Sequence, residues 1–183
     1  SGTLIEQLRS GRINLALLFD DGQLGGFTTT PLVEEDMMFI TRTESRFRVK
    51  GKTISLAKAV AMPLILPGLQ HGVRPRVENI VREAGLSIQN VIDINSIAIL
   101  KSALLADMGA TILPVAPVLS ELERKLLSAH PIKGTRISRT VSLCSSKNIP
   151  LTNAAAAVER LVLDVTKSLC SDGRWLGARN LLA

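Results

Sequence analysis

Three segments of the sequence place small or hydroxyl-bearing residues directly before a predicted helix. They are Ser1-Gly2-Thr3, Pro67–Val73 and Asn95-Ser96. The first backbone N–H groups of a helix have no partner within it, and the helix dipole adds positive charge at that end. Such a terminus favours a carboxylate or a phosphate group. Each segment alone indicates an ordinary helix cap, whereas three that met at one cleft would bind an anion.

No catalytic motif accompanies these segments. The sequence lacks the GxSxG, GxxxxGK[ST], HExxH and GxGxxG patterns. Those patterns mark nucleophile elbows, phosphate loops, zinc sites and dinucleotide loops. We therefore expect no enzyme and no cofactor, and we assign no catalytic residue.

Three other features fit a structural explanation better than a chemical one. They are the glycines Gly22, Gly25 and Gly26, the acidic runs Asp20-Asp21 and Glu34-Glu35-Asp36, and His71 beside Arg74. The glycines are too loosely spaced for a nucleotide loop and indicate a flexible connection after a strand. The acidic runs lack the regular spacing of cation ligands, so we expect solvated loops and no metal site. A lone loop histidine is more often polar surface than an acid–base group.

Alternating strands and helices position the three segments. Thr3-x-x-Glu6 is a capping box, and Gly11 is a stop signal for the helix that follows. The apolar run Ile13–Phe19 predicts a fully buried strand of a parallel sheet. Thr28–Ile40 predicts extended structure with a polar break at its acidic run. This alternation predicts an α/β fold with mainly parallel sheets.

The remaining helices follow from spacing and caps. They are predicted at 55–60, at 72–84 with Gly85 as cap, from Asn95-Ser96 to about Met108 with Gly109 as cap, at 115–127, and after Thr152 or Asn153. Short strands are predicted at 64–66, 88–94, 110–113 and 136–144. The last helix has a predicted core stripe of Val158, Leu161, Val162, Val165 and Leu169. The tail from Ser171 onward, with Trp175, shows no pattern.

Composition narrows the class of protein. The 183 residues suit one large domain or two small subdomains, and 46% of them are hydrophobic. Aromatic residues make up 3%, with no Tyr, so the core is aliphatic and base-stacking platforms for single strands are not expected. Two cysteines without CxxC spacing and two distant histidines predict neither disulfides nor zinc. We expect a cytoplasmic protein, because no signal peptide or membrane span is evident.

The net charge of +6 is spread over three modest clusters, at 42–52, 74–82 and 133–139. None is a dense basic run on a helix. We interpret them as solvated surface plus one anion-binding pocket. Direct DNA binding by this chain is the weakest alternative, and retention of duplex DNA is expected to be absent or nonspecific.

Several blocks resemble the effector-binding domain of LysR-type transcription regulators. SGTLIEQLRSGRINLALLF (Ser1–Phe19) is similar to the family pattern G-T-x-x-L-x-x-L-x-x-G-x-[IL]-D-x-[AG]-[IL], with Asn14 in place of Asp. The resemblance continues in TTTPLVEEDMMFITR (Thr28–Arg42), ISLAKAVAMPLILP (Ile54–Pro67), INSIAILKSALLADMGATILP (Ile94–Pro114) and SRTVSLCSSKNIPLTNAAAAV (Ser138–Val158). Within the family the sequence looks most like the nitrogen assimilation control regulator branch.

The resemblance implies two Rossmann-like subdomains of the type 2 periplasmic-binding-protein kind. Subdomain I would comprise residues 1–42 and 132–183, and subdomain II residues 43–131. Relative to the family, the winged helix-turn-helix is absent. The first strand, first helix and second strand of subdomain I would also be missing, which would leave exposed strand edges and an unstable or partner-dependent fragment.

The resemblance also implies a site and a mechanism. Its ligand contacts correspond here to Ser1, Gly2, Thr3, Pro67, Gly68, Leu69, Asn95 and Ser96, with Gln70 as a further candidate and His71 as another. A small anionic effector would bind between the subdomains and control an absent DNA-binding domain through a homodimer or homotetramer. DNA would be contacted only through that domain. Two alternatives remain, a solute-binding protein for transport and an α/β enzyme with a similar cleft.

Overall fold

The computed structural model describes residues 2–20, 22, 24–68 and 72–182. The chain forms two compact units, one of Ser1–Glu35 with Arg139–Ala183 and the other of Asp36–Ser138. The helices and strands together confirm the predicted α/β class. The subdomain boundaries that the resemblance implies, after residue 42 and before residue 132, stay a prediction.

The elements alternate along the chain as expected. In order they are α1 (Gly2–Arg9), β1 (Leu15–Phe19), β2 (Phe27–Arg42), β3 (Ile54–Ser55), α2 (Leu56–Val60), β4 (Leu64–Leu66), α3 (Val73–Glu83), β5 (Val91–Asp93), α4 (Ile97–Leu105), β6 (Thr111–Pro114), α5 (Leu119–Glu123), β7 (Leu127–His130), β8 (Ile132–Lys133), β9 (Ser138–Ser146), α6 (Asn153–Ser171) and β10 (Ala178–Asn180), with short 3₁₀ turns at Leu24–Gly26 and Ala116–Val118. The helix predicted at 115–127 is therefore shorter than expected at both ends, and its last predicted residue, Leu127, begins β7.

Strand direction differs from the prediction of mainly parallel sheets. In the first unit β1 pairs antiparallel with β9, and β10 pairs antiparallel with β2. In the second unit β2 pairs antiparallel with β6 and with β7, while β3–β8 and β4–β5 are parallel. An apolar run indicates that a strand is buried, but it does not indicate whether the neighbouring strand runs parallel or antiparallel. The sequence therefore could not identify the antiparallel partners.

β1 is also less buried than predicted. Ala16 and Leu18 face the core, whereas Leu17 is 51% exposed. Successive side chains of a strand point to opposite faces, so a continuous apolar run is buried only where both faces are covered. β1 lies at the end of the strand order β1-β9-β2-β10. The expectation of a fully buried parallel strand was wrong.

Helix α6 packs on the first unit's sheet with only part of its predicted stripe. Val158, Leu161 and Val165 are 50%, 60% and 46% exposed. Side chains that pack on the sheet include Val162 and Leu163. The helix is apolar on two faces, and spacing alone does not say which of them meets the sheet.

The acidic run Glu34-Glu35-Asp36 is neither a strand break nor a solvated loop, because β2 runs through it without interruption. Each carboxylate contacts an arginine: Glu34 with Arg179 at 2.5 Å, Glu35 with Arg139 at 2.7 Å, and Asp36 with Arg136 at 2.7 Å. Those arginines lie about a hundred residues or more away in sequence. Within the described ranges, no three potential metal ligands cluster and no helix is long and apolar enough to span a membrane.

The second unit has one continuous aliphatic core. It includes Val77 of α3, Leu100 and Leu104 of α4, and the three residues of β4. Gly85 follows α3 with φ 70°, as its predicted cap role requires. Helix α4 ends earlier than predicted, and Asp107 rather than Gly109 takes the left-handed position, with φ 56°.

Candidate functional site

The candidate site is built where strands β4 and β5 end side by side. The two strands are parallel, with Leu66 opposite Asp93, and the Ile94 N–H donates to the Leu66 carbonyl at 3.0 Å. The loops that follow them therefore begin next to each other. Such paired carboxyl ends are the usual place for a ligand in an α/β sheet.

One hydrogen bond joins these two loops. The Gly68 N–H donates to Oδ1 of Asn95 at 2.8 Å. Pro67 and Gly68 are buried, whereas Asn95 is exposed. Within the described part of the chain, the amide nitrogen of Asn95 has no partner. The Asn95 side chain thus holds the first loop with its oxygen and keeps an N–H₂ group available.

Ser96 begins helix α4 as its N-cap, as the sequence predicts. Its backbone is extended, with φ −91° and ψ 121°, and its Oγ accepts from the Ile99 N–H at 3.4 Å. The first turn of this nine-residue helix contains no acidic residue. The backbone N–H groups of Ile97 and Ala98 precede the first intrahelical bond, so the terminus can donate to an anion.

The position of α4 depends on a close contact between Gly109, which follows the helix, and the backbone of Pro63. Leu100, Ala103 and Leu104 are buried, and α4 packs against β4. A Cβ on Gly109 would lie 2.6 Å from the Pro63 carbonyl oxygen. The residue must therefore be glycine for the chain after α4 to reach β4, which it joins through the Ile65 N–H and the Ala110 carbonyl at 2.7 Å. This explains the Gly in the GATILP block.

The nearby arginines are already engaged. Arg74 donates to Glu78 at 2.7 Å and also contacts Asp93. The hydrogen bond with Glu78 raises the pKa of the Arg74 guanidinium. Arg76 donates from Nε to the Ser138 carbonyl at 3.2 Å. These contacts occupy Nε and one terminal nitrogen of Arg74 and Nε of Arg76.

The structure brings together four of the nine predicted ligand-binding residues, namely Pro67, Gly68, Asn95 and Ser96. Gly2 and Thr3 are exposed in the first turn of α1, in the other unit. Their convergence with the α4 terminus stays a prediction. Ser1, Leu69 and Gln70 lie outside the described residues, as does His71.

Sequence reasoning missed two apolar side chains at this site. Ile97 and Ile99, in the first turn of α4, are 40% and 60% exposed. Their place in an apolar helix indicated a core role. The signal against it is the uninterrupted run Ile97–Leu100, because a helix with one buried stripe cannot bury four consecutive residues.

Residues 1–167 match the LysR substrate binding domain family. The chain is 27% identical over 177 residues to the nitrogen assimilation regulatory protein nac of Klebsiella aerogenes, covering 96% of this chain and 57% of that protein. It is 24% identical over 166 residues to the hydrogen peroxide-inducible genes activator of Haemophilus influenzae, covering 91% and 55%. The chain thus spans about half the length of the curated relatives it matches. These relatives are named as regulators or activators, and two of them are nac proteins, of the branch that the sequence resembles most.

Solved structures share the fold. The CcmR regulatory domain of Synechocystis in complex with 2-PG has a TM-score of 0.79 at 18% identity, covering 90% of this chain and 79% of that one. The effector binding domain of QuiR in complex with shikimate has a TM-score of 0.76 at 18% identity, covering 92% and 78%. Reduced OxyR of N. meningitidis has a TM-score of 0.73 at 21% identity, covering 100% and 81%. The expected fold, that of LysR effector-binding domains, is confirmed.

Proposed function

Because this chain belongs to the LysR substrate-binding domain family, we propose that it is the effector-binding part of a bacterial transcription regulator. The observation that carries the proposal is the hydrogen bond between Gly68 N–H and Asn95 Oδ1 beside the Ser96-capped start of α4. It fixes Asn95, whose N–H₂ group has no partner among the described residues, directly before the unpaired N–H groups at the start of α4. These donors can bind a small anion, and binding requires no catalytic residue.

The effector is a small molecule with a carboxylate or phosphate group and an apolar part. The N-terminus of α4 and Asn95 supply donors for the anionic group. Ile97 and Ile99 supply exposed apolar surface next to those donors. The solved CcmR and QuiR complexes support a small-molecule role for this fold. We further propose that Thr3 and the start of α1 contact the effector from the other unit.

Binding controls an attached DNA-binding domain by population shift. An effector that binds one arrangement of the two units more tightly favours that arrangement by its difference in binding free energy. In a homodimer or homotetramer, this changes the spacing of the DNA-binding domains. The whole regulator would act in the cytoplasm.

The test is a thermal-shift titration with simple carboxylates, inorganic phosphate, aromatic acids and compounds of nitrogen and sulfur metabolism. A compound present at 100 times its Kd stabilises the folded chain by about 2.7 kcal/mol, so its melting temperature should rise with concentration. Replacing Asn95 by Ala or Ser96 by Ala should abolish most of that rise. Thr3→Val tests the contribution of the first unit.

Ser102→Ala is the matched control for Ser96→Ala. Ser102 lies on the same helix and is exposed, and its hydroxyl donates only to the Ala98 carbonyl at 3.1 Å. The control should keep the full ligand response. An equal loss in both serine variants, or a response that survives both Asn95→Ala and Ser96→Ala, would contradict this site.

A further inference from the structure

In two of the three basic clusters of the sequence, half of the cations contact carboxylates in the structure. Arg74 contacts Glu78 and Asp93, Arg136 contacts Asp36, and Arg139 contacts Glu35. Two further arginines of these clusters donate to neutral oxygens, Arg76 to the Ser138 carbonyl and Arg82 to Asn79. Most of the cations in these two clusters are therefore engaged in contacts within the fold.

The third cluster, residues 42–52, has a different environment, and we call it the basic loop. It contains five cations, Arg42, Arg46, Arg48, Lys50 and Lys52, and one acid, Glu44. Five positive charges less one negative charge give +4 of the chain's +6. All five cationic residues are exposed. Across the described ranges, the side chains of Arg48, Lys50 and Lys52 have no hydrogen-bonding or ionic partner.

The backbone of the basic loop is nevertheless fixed by hydrogen bonds that involve Ser45 and Asp107. Ser45 is buried, and its Oγ donates to a carboxylate oxygen of Asp107. The other oxygen of Asp107 accepts from the Arg46 N–H at 3.3 Å, and Ser45 Oγ accepts from the Phe47 N–H at 2.8 Å. The hydrogen bond from Ser45 lowers the pKa of Asp107. Asp107 thus anchors the loop backbone, and its charge acts on Arg46 and Arg42 at the start of the loop, whereas Arg48, Lys50 and Lys52 lie beyond its contacts.

Two more cations adjoin the loop. Arg124 and Lys125 follow helix α5 and are exposed. The Thr43 N–H donates to the Leu126 carbonyl at 3.0 Å, and Ser128 Oγ bonds to Thr43 Oγ1 at 3.0 Å. These bonds fasten the loop to the turn that carries both cations. Residues 42–52 together with Arg124 and Lys125 form what we call the basic surface.

We propose that the basic surface binds the phosphate backbone of duplex DNA without sequence preference. Protein interfaces usually depend on aromatic or aliphatic anchors that become buried. The one aromatic residue of this surface, Phe47, is half-buried, and the Arg46 guanidinium lies 4.7 Å from the centre of its ring. Phosphate contacts instead need Lys, Arg and N–H donors on a positioned surface, which these residues provide. In a DNA-bound regulator the basic surface would add a salt-dependent contact beyond the DNA-binding domain, which replaces the expectation from the resemblance that DNA is contacted only through that domain. It is separate from effector binding, because none of its residues belongs to the α4 site.

The test is fluorescence anisotropy of a labelled duplex titrated with this chain over a range of salt concentrations. Nonspecific binding is expected with a Kd of about 10⁻⁴ to 10⁻⁶ M and a log–log salt slope of about −0.9 per phosphate neutralised. Replacing both Arg48 and Lys50 by Gln should make the log–log salt slope less negative by about 2. Lys50→Gln with Lys52→Gln is a second pair, which shares only Lys50 with the first.

Arg12→Gln with Arg160→Gln is the matched control. Both arginines are exposed in the first unit, so this pair removes the same charge from another surface. Its slope should stay close to that of the unaltered chain. Absence of salt-dependent binding, or equal loss in control and loop pairs, would overturn the proposal. Binding to phosphatidylserine vesicles through Arg48 and Lys50, without binding to the duplex, would also overturn it. None of these outcomes bears on the effector titration.

Discussion

Trp175 donates its indole N–H to Oε1 of Glu35 at 2.9 Å. The other carboxylate oxygen of Glu35 accepts from Nε of Arg139 at 2.7 Å, and the Arg139 guanidinium lies 3.7 Å from the centre of the Phe19 ring. The C-terminal segment, which shows no pattern in the sequence, thus supplies one of the two hydrogen bonds to the buried carboxylate of Glu35. It also adds strand β10 beside β2.

Glu35→Gln should destabilise the chain far more than Glu34→Gln. The Glu35 side chain is 5% exposed and that of Arg139 is 15% exposed, so the substitution leaves a nearly buried guanidinium without its counter-charge. Breaking such a pair costs about 3 kcal/mol or more. Arg179, the partner of Glu34, is 62% exposed, and exposed pairs contribute less than about 1 kcal/mol. Urea unfolding of both variants measures the difference, and equal losses would contradict it.

Local signals in the sequence predicted the ends of several helices correctly. Ser96 and Thr152 cap α4 and α6 with side-chain oxygens, as predicted, whereas Ser55, predicted as the first residue of its helix, is the cap of α2. Gly11 and Gly85 have φ near 70° after α1 and α3. A cap involves residues within a few positions of each other, so the information it needs is contained in the local sequence.

Features that depend on distant partners could not be predicted in this way. Nothing near Glu35 in the sequence identifies Arg139 or Trp175, so a strand with a buried ion pair resembled a polar break. The same limit applies to the site: the caps of the α4 loop were predicted, but the Gly68–Asn95 bond depends on β4 lying beside β5. Strand pairing is a tertiary property that apolar runs do not specify.

Gly109→Ala should destabilise the second unit, and Gly25→Ala should not. A methyl group at Gly109 would lie 2.6 Å from the Pro63 carbonyl oxygen and 3.3 Å from Ile65 Cγ1, so backbone must move. Overpacking of this kind costs about 2 to 3 kcal/mol. Gly25 has no heavy atom within 4 Å of the added methyl group and has no positive φ. Thermal melts of the two variants provide the measurement, and an unchanged melt for Gly109→Ala would refute the close contact.

Ser45→Ala should raise the pKa of Asp107 toward its ordinary value of 3.8, because the Ser45 hydroxyl is the main cause of its lowering. A carboxyl with a lowered folded-state pKa adds stability above its unfolded pKa and loses it as pH falls through the folded pKa. The fall in stability below about pH 4 should therefore be shallower in this variant. Carboxyl NMR titration and urea unfolding between about pH 6 and 3 test both effects. Asp107 should titrate unchanged in Ser102→Ala, and an unchanged pKa in Ser45→Ala would contradict the assignment.

The two cysteines should differ sharply in their reactivity toward iodoacetamide. Cys144 is fully buried, and burial, with a smaller effect of Asp20, raises the pKa of its thiol to about 11. Since the thiolate is the nucleophile, alkylation at pH 8 should be more than about 100-fold slower than for a free thiol. Burial also raises the pKa of Cys170, but that residue is partly exposed and should be modified first. In mass spectrometry of the native chain, Cys170→Ser should abolish nearly all labelling. Cys144→Ser should leave the labelling almost unchanged. In denaturant both cysteines should react, so rapid native labelling of Cys144 would show that its strand opens.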